Sequence, residues 1–416
     1  MVQHHYYKHK LDNGLEVILS PNKYLHSTSI DIGFNYGFFN EKNRMSGVSH
    51  LMEHMIFEGT GKISKENLRN LLANETVYWN GETDAEMTSY QFKLFNLSKG
   101  KMMFDGLAEM LFNSTFEEQN LKKEKTAVIN EVHSNFGSDL ALEGAVARAY
   151  LFKKPATTFF GGNPLIIENI PRDVVFDSYS KYYSPGNAVI AIAGNFNKEK
   201  AIDGITNAFK NIAKDTTTPN LEVYTGKTKY KDIHMKSFNP YKGQSSIIFG
   251  MKLPGADQLY RKGEEGRASI SYIRNLLTER LTYRMRDEAG LAYMANSDAA
   301  IGKHTGYIVA YARVKNKSVE DGKKIMFGEI EKIINGEVDG ESISRSRLTT
   351  KLIISDVFDS TLEHSTAILS SALKYGRSPL ELYNEFASLN LDDVRSAAAD
   401  YLKTDGQEDS VLIISN

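Results

Sequence analysis

The chain contains a long internal repeat, and this repeat restricts its fold more than any other feature. Residues 170–193 read as a short turn, a helix and an apolar strand, and residues 389–414 read the same way about 220 positions later. A repeat of this length indicates duplicated domains, because the units of solenoid proteins are much shorter. A length of 416 residues also suits two domains of about 200 residues each.

The two domains are predicted at residues 1–213 and 221–416, joined by a linker at 214–220. The linker sequence is Lys-Asp-Thr-Thr-Thr-Pro-Asn, which has the composition of a loop. Near the N-terminus, Asn13-Gly14 between two alternating runs predicts a β-hairpin. Strands mixed with long helices in both halves predict an α+β fold, in which each domain has a mixed, largely antiparallel sheet with helices packed on one face.

A five-residue segment, His50 to His54, carries the most specific chemistry in the chain. Residues four apart on an α-helix lie one above the other, so His50 and His54 can offer ring nitrogens to one metal ion. Glu53 lies beside them, close enough to take a proton from water at the metal. A lone histidine is better explained by local hydrogen bonds, but two histidines around a glutamate favour metal binding. A catalytic zinc ion has three protein ligands and one open position, so a third ligand must come from elsewhere.

This segment resembles the His-x-x-Glu-His signature of the pitrilysin and mitochondrial processing peptidase family. The family follows the signature with a phrase like Met-x-Phe-x-Gly-Thr, and residues 55–60 fit that phrase. The family's third metal ligand comes after 76 further residues, at the position that Glu131 occupies. The resemblance therefore implies one Zn²⁺ per chain, bound by His50, His54 and Glu131, with Glu53 as the general base.

Further residues match the family outside the signature. Glu124 lies where the family has a glutamate that supports the metal ligands, although a solvated carboxylate among lysines is the alternative. Asn80 and Gly81 match an Asn-Ala-x-Thr element that binds the peptide backbone as an added strand, with Gly81 in place of the usual alanine. Without the resemblance, Asn80-Gly81 predicts a turn. Glu86 matches a further acidic position of the same element.

A segment of the second half, residues 281–293, resembles the family's Leu-Arg-Glu-x-x-Gly-Leu-Ala-Tyr element. In the family, the arginine and tyrosine of this element contact the substrate carbonyl near the cut, and Arg286 and Tyr293 match them. A surface arginine and a buried tyrosine beyond a helix end are the structural alternative. The resemblance leaves open whether this pair serves its own chain or a partner chain.

The resemblance covers nearly the whole chain and implies a zinc-dependent endopeptidase in the short two-domain prokaryotic form. Larger members join two such halves into a clamshell around an enclosed chamber that admits unfolded peptides. This chain corresponds to one half of a clamshell, so a homodimer is expected and a heterodimer is possible. The alternatives are a non-catalytic or partner-dependent subunit of a heterodimeric peptidase, or a maturase dedicated to one leader peptide.

Composition excludes several other classes of function. The formal net charge is −2 and basic residues form no long stripe, so nucleic-acid binding is not expected. No uncharged apolar run of about 18 residues is present, so a membrane span is not expected. The N-terminus has no signal-like apolar segment, which predicts a cytoplasmic protein. The absence of cysteine excludes disulfides and thiol chemistry.

Overall fold

The protein is described by a computed structural model over residues 5–95, 97, 100–135, 139–153, 161–214, 226–236, 243–259 and 266–415. The described elements of the N-terminal half are β1 Tyr7–Lys10, β2 Glu16–Pro21, β3 Thr28–Phe34, α1 Val48–Met55, α2 Lys65–Glu75, β4 Tyr78–Thr83, β5 Thr88–Leu94, α3 Gly100–Phe112, α4 Glu118–Asn135, α5 Asp139–Phe152, α6 Pro164–Asn169, α7 Arg172–Tyr182, β6 Ala188–Gly194 and α8 Lys198–Phe209. Those of the C-terminal half are β7 Lys231–Met235, β8 Gln244–Pro254, α9 Ala256–Leu259, α10 Gly266–Leu281, β9 Ala292–Ile301, β10 Thr305–Lys315, α11 Val319–Asn335, α12 Gly340–Asp356, α13 Thr361–Ser370, α14 Pro379–Ser388, α15 Leu391–Tyr401 and β11 Ser410–Ser415.

The two sheets have matching strand arrangements. The first has the order β1-β2-β6-β3-β5-β4, and the second has the order β7-β11-β8-β10-β9. Each contains one parallel pair, β2 with β6 and β7 with β11, while the other pairs are antiparallel. β8 therefore corresponds to β3, and β11 to β6. The predicted pair of mixed, largely antiparallel sheets is confirmed.

The chain forms two compact units, and each is discontinuous in sequence. The first comprises Met1–His133, Phe160–Glu222 and Asp356–Leu380, and the second comprises Ser134–Phe159, Val223–Ser355 and Glu381–Asn416. Each unit thus includes a segment from the other half of the chain. The boundaries predicted at 1–213 and 221–416 stay a prediction, and residues 215–220 of the predicted linker lie outside the described residues.

In the first unit, one sheet face forms an aromatic core with helices of the N-terminal half. Phe34 of β3 stacks on Tyr183, with ring centroids 4.0 Å apart, and meets Phe112 of α3 edge-on at 5.7 Å. The hydroxyl of Tyr90 on β5 lies 2.7 Å from that of Tyr183. Phe34 and Tyr90 are fully buried, so this face fixes the positions of β3 and β5.

The opposite face of the same sheet is covered by α13, which comes from the C-terminal half. Asp31 of β3 accepts hydrogen bonds from the hydroxyls of Ser365, at 3.1 Å, and Thr366, at 2.6 Å. The amide of Gln91 on β5 donates to the Thr366 hydroxyl at 3.2 Å. Helices were predicted on one face only, and α13 adds a polar contact on the other.

A π-helical segment, residues 371–375, continues α13 toward the turn between β4 and β5. It places the ammonium group of Lys374 in an ion pair with the carboxylate of Asp84 in that turn. The Lys374 side chain is largely buried. This pair ties a segment of the C-terminal half to the end of β4.

The second unit is built on the same plan. Its core lies between the sheet and α10, α11 and α15, and includes Phe249 of β8 edge-on to Phe327 of α11 at 4.8 Å. The other face of the sheet, with Ile248 and Val411, packs against Leu151 of α5. α5 comes from the N-terminal half, so this unit also takes one covering helix from the other half. Across the described residues, no helix is long and apolar enough to cross a bilayer.

Candidate metal centre

The helix α1 carries His50 and His54 and is held at its N-terminus by a distant carboxylate. Gly47, the residue before the helix, has a left-handed backbone with φ of 103° and supplies no capping side chain. The carboxylate of Glu41 instead accepts the N–H groups of Gly47, at 2.9 Å, and Ser49, at 2.7 Å. Because these N–H groups have no partner within the helix and the helix dipole is positive here, a buried carboxylate stabilises this end. Glu41 therefore fixes the start of the turn that carries His50.

The two imidazoles and Glu131 point toward a common position. The Glu131 carboxylate oxygen Oε2 lies 3.5 Å from Nε2 of His50 and 3.5 Å from Nε2 of His54. The imidazoles meet edge to face, with ring centroids 4.9 Å apart. Glu131 lies on α4, so a residue distant in sequence lies within 3.5 Å of a ring nitrogen of both histidines of α1.

The second nitrogen of each imidazole has its own partner. Nδ1 of His50 lies 3.0 Å from the carbonyl oxygen of Gly161, and Nδ1 of His54 lies 3.0 Å from the carboxylate of Glu124. Both partners accept hydrogen bonds, so each Nδ1 carries a proton, and each Nε2 presents a lone pair to a metal ion once its imidazole is neutral. Glu124 thus contacts His54, and its supporting role stays a prediction.

The centre strongly favours positive charge. Burial alone would lower the pKa of His54, but its hydrogen bonds to Glu124 and Glu131 and the negative charges of Glu53 and Glu124 outweigh burial and raise that pKa to about 9. Hydrogen bonds from His50 and His54 hold the pKa of Glu131 far below its usual range. A cation that binds both imidazoles must displace a proton, so metal affinity is expected to rise with pH.

Glu53 is the second carboxylate beside the imidazoles, and it is held from β4. Only 8% of this residue is exposed, and burial raises the pKa of its carboxyl group. The Thr83 hydroxyl donates to its Oε2 at 2.7 Å. A methyl group at Gly81 would lie 2.7 Å from its Oε1, so the carboxylate occupies the space that a side chain at position 81 would fill.

The donors fit a zinc ion, with Glu131 as the predicted third ligand. The potential ligand atoms of His50, Glu53 and His54 also lie within 4.8 Å of one another, so two carboxylates compete for this position. Tetrahedral zinc with bonds of about 2.0–2.1 Å holds its ligand atoms roughly 3.4 Å apart, which agrees with the two 3.5 Å separations of Glu131. Glu53 is already engaged by Thr83. We therefore keep Glu131 as the predicted ligand and Glu53 as the predicted base.

The residues expected to bind the peptide lie at the edge of the first sheet and in the turn beyond it. Asn80 and Gly81 belong to β4, the last strand of that sheet within the described residues. Gly81 contacts Glu53, whereas Asn80 is exposed and pairs with Gln91 of β5. Glu86 is buried in the turn between β4 and β5.

Two segments of the chain match models of one known protein family. The description "Insulinase (Peptidase family M16)" matches residues 16–155, and "Peptidase M16 inactive domain" matches residues 169–349. The chain belongs to the M16 peptidase family. The first M16 segment contains His50, Glu53, His54 and Glu131, and the second contains Arg286 and Tyr293.

Relatives match most of this M16 chain at low sequence identity, and solved structures share its fold. It is 22% identical over 408 residues to "Probable mitochondrial-processing peptidase subunit beta, mitochondrial" of Arabidopsis thaliana, covering 94% of this chain and 75% of that one. It is 23% identical to "Uncharacterized zinc protease YmxG" of Bacillus subtilis, covering 94% of each. A protease structure from Helicobacter pylori superposes with a TM-score of 0.87 over the full length of both chains at 19% identity. An M16 inactive domain from Pseudomonas fluorescens gives 0.86 at 15% identity, covering 99% of this chain and 97% of that one. The predicted family and fold are confirmed.

Arg286 and Tyr293 lie in the second unit of the M16 chain. Arg286 belongs to a π-helical segment, residues 282–288, that follows α10, and Tyr293 is in β9. The guanidinium carbon of Arg286 is 5.9 Å from the centroid of the Tyr293 ring. Tyr293 is 86% exposed, so the alternative of a buried tyrosine does not hold. The pair therefore presents two hydrogen-bond donors side by side at the surface of this unit.

Three groups that orient the M16 centre were missed in the sequence. Glu41 contacts the start of α1, and Thr83 contacts Glu53. The Gly161 carbonyl contacts His50. Glu41 gave no signal, because it lies six residues before the helix cap it serves. The Gly161-Gly162 pair could have indicated a tight turn in the sequence. In the structure both glycines have a positive φ, and a methyl group at Gly161 would lie 3.2 Å from Nδ1 of His50.

Proposed function

We propose that this M16 chain is a zinc-dependent endopeptidase that cuts unfolded or short peptides. The observation that carries the proposal is the convergence of His50, His54 and Glu131 on one position with Glu53 beside them. One zinc ion per chain, bound there, would supply Lewis-acid activation of water and of the scissile carbonyl.

Glu53 is the proposed general base. Its buried carboxylate is held by the Thr83 hydroxyl and lies against Gly81, so its position beside the imidazoles is fixed before substrate arrives. Burial raises the pKa of the Glu53 carboxyl group, which makes it a stronger base for the proton of the attacking water. We expect it to take a proton from the attacking water and to deliver that proton to the departing amine.

The supporting groups keep the ligands in place. The Gly161 carbonyl and the Glu124 carboxylate hold the Nδ1 protons of the two histidines, which leaves each Nε2 free for the ion. Partners of this kind raise the basicity of the ligands and set the ring orientation. Glu124 is therefore proposed as a supporting residue and not as a ligand.

Substrate is proposed to bind as an extended strand beside Asn80 and Gly81 of β4. Arg286 and Tyr293 are proposed to donate hydrogen bonds to the substrate carbonyl near the cut. Glu86, in the turn between β4 and β5, remains a proposed residue of the same substrate-binding region. An extended backbone is required, so unfolded peptides are the expected substrates and stably folded proteins should survive. A homodimer, with a heterodimer as the alternative, and a cytoplasmic location remain parts of the proposal.

The test separates the base from the ligands. Glu53→Gln should retain zinc near the parent content, while hydrolysis of a quenched peptide falls by roughly 10²-fold or more. His50→Ala, His54→Ala and Glu131→Gln should each lower zinc content itself. Loss of zinc in Glu53→Gln together with full zinc and activity in Glu131→Gln would contradict the assignment.

The same assays decide between the proposal and its alternatives. Zinc binding without cleavage of any peptide in a mixed library would favour a non-catalytic or partner-dependent subunit. Cleavage restricted to one leader sequence would favour a dedicated maturase. Activity regained on mixing Glu53→Gln with Arg286→Ala after subunit exchange would show that Arg286 serves the partner chain.

A further inference from the structure

The free edge of β4 presents a defined set of backbone groups. The Asp84 N–H donates to the Met87 carbonyl at 2.9 Å, next to the paired residues Thr83 and Thr88. Hydrogen-bonded pairs alternate along antiparallel strands, so residues 82, 80 and 78 direct their backbone groups toward β5. Residues 83, 81 and 79 therefore direct their N–H and carbonyl groups away from β5. Within the described residues β4 ends the sheet, so these groups are the ones that an added peptide would meet.

Side chains of the same three residues share one face of the sheet. Gly81 and Thr83 face Glu53, as shown by the space at position 81 and by the Thr83 hydrogen bond. Side chains alternate along a strand, so Trp79 lies on this face too, roughly 6.7 Å along the strand from Gly81. Its cross-strand neighbour Phe92 is fully buried.

Trp79 is 36% exposed, although Tyr90 and Phe92, on the same face of the neighbouring strand, are fully buried. A peptide that pairs with Gly81 places one residue beside Glu53, and the residue two positions away then pairs with Trp79. Directly paired residues on neighbouring strands have Cβ atoms about 4.5–5.5 Å apart, so that substrate side chain would lie against the indole. A large apolar or aromatic side chain at this position removes the most apolar surface from water.

We propose that Trp79 is a specificity-determining residue that selects a large apolar side chain two positions from the peptide residue paired with Gly81. The inference rests on the proposed peptidase function and names the substrate class of that same site. It predicts a preference for Phe, Leu, Met or Tyr at one fixed distance from the cut. Tyr78 projects to the opposite face and takes no part.

The test maps cleavage sites in a peptide library for the zinc-loaded parent, Trp79→Ala, Trp79→Phe and the control Tyr78→Ala. The parent should enrich large apolar residues at one position. Trp79→Ala should lose that enrichment, with kcat/KM on apolar peptides falling roughly fivefold to tenfold and little change on peptides with serine there. Trp79→Phe should keep the preference, and Tyr78→Ala should behave like the parent with equal zinc content.

Binding can be measured separately, because Trp79 is the single tryptophan of the chain. In Glu53→Gln protein, an apolar peptide should change the tryptophan fluorescence at lower concentration than its serine variant. Two results would overturn the Trp79 inference: equal fluorescence titrations with the two peptides, or an unchanged cleavage preference in Trp79→Ala. The peptidase proposal would still stand if the parent cuts peptides and Glu53→Gln does not. A parent protein that is zinc-loaded and no more active than Glu53→Gln would instead overturn the proposed function.

Discussion

The carboxylate of Asp31 should make the first unit less stable as the pH rises. Asp31 is completely buried between β3 and α13, where the hydroxyls of Ser365 and Thr366 donate hydrogen bonds to its carboxylate. Burial raises its pKa from 3.8 to about 7, while the hydrogen bonds from Thr366 and Ser365 oppose part of that rise. Glu363 and Glu82 add a smaller increase through like charge.

The sign and size follow from the two pKa values. The folded protein holds the Asp31 proton more tightly than the unfolded chain, so the stability is fully present below pH 3.8 and is lost as the pH rises through about 7. Each pH unit between the two values is worth about 1.4 kcal/mol, so the total is roughly 4 kcal/mol. Of this, about 2.5 kcal/mol should disappear between pH 5 and pH 8. Asp31→Asn cannot ionise and should not lose it.

Urea unfolding followed by the fluorescence of Trp79 measures the effect, because this tryptophan lies in the same unit as Asp31. The unfolding free energy of Asp31→Asn minus that of the parent should grow by about 2.5 kcal/mol from pH 5 to pH 8. Asp12→Asn, which removes an exposed carboxylate from the β1–β2 turn, should change by less than about 0.5 kcal/mol over the same range. Parallel curves for Asp31→Asn and the parent would refute the reasoning.

Three further substitutions test contacts at the metal centre and at the end of β4. Gly81→Val should displace the Glu53 carboxylate, because the new Cβ would lie 2.7 Å from Oε1 and carries two further methyl groups, and peptide hydrolysis should fall roughly tenfold or more at unchanged zinc content; parent-like kcat would contradict this. Glu41→Ala removes the acceptor at the start of α1 and should lower the unfolding free energy by roughly 1–3 kcal/mol in urea titrations, with an unchanged midpoint as the contrary result. Lys374→Met leaves the partly exposed Asp84 without its cation and should cost roughly 2 kcal/mol in the same assay; Lys374→Arg is the control, and equal losses in both would show that the charge pair is not the cause.

The features predicted correctly depend on neighbours in sequence. The spacing of His50 and His54 requires a helix, and α1 supplies one. Ser64 stands directly before the helical pattern of α2, a position typical of a helix cap, and its hydroxyl accepts the N–H of Asn67 at 3.3 Å. The hairpin at Asn13-Gly14 joins β1 and β2 as expected. Local propensity and periodicity are sufficient for such elements.

Contacts between segments that are distant in sequence could not be predicted from local propensity and periodicity. Asn80-Gly81 alone predicts a turn, yet pairing with β5 holds it in a strand, because tertiary context outweighs local preference. Periodicity shows which face of α5 or α13 is apolar, but it does not show which sheet that face packs against. The convergence of Glu131 on α1 came from the family resemblance, since a gap of 76 residues has no meaning without the fold.

The exchange of covering helices sets an order for folding during synthesis. α5 leaves the ribosome before β8 and β11. The apolar face of the second sheet can therefore pack against α5 as soon as those strands pair. α13 emerges more than 300 residues after β3, a wait of roughly 20–70 s at ordinary rates of translation. The waiting surface joins an apolar part, Ile18, Val189, Ala191 and Ala193, to a polar part, Ser29, Asp31 and Gln91, whose groups water can solvate in the meantime. The nascent chain thus exposes its more hydrophilic sheet face for the longer time, which limits aggregation before the last helix arrives.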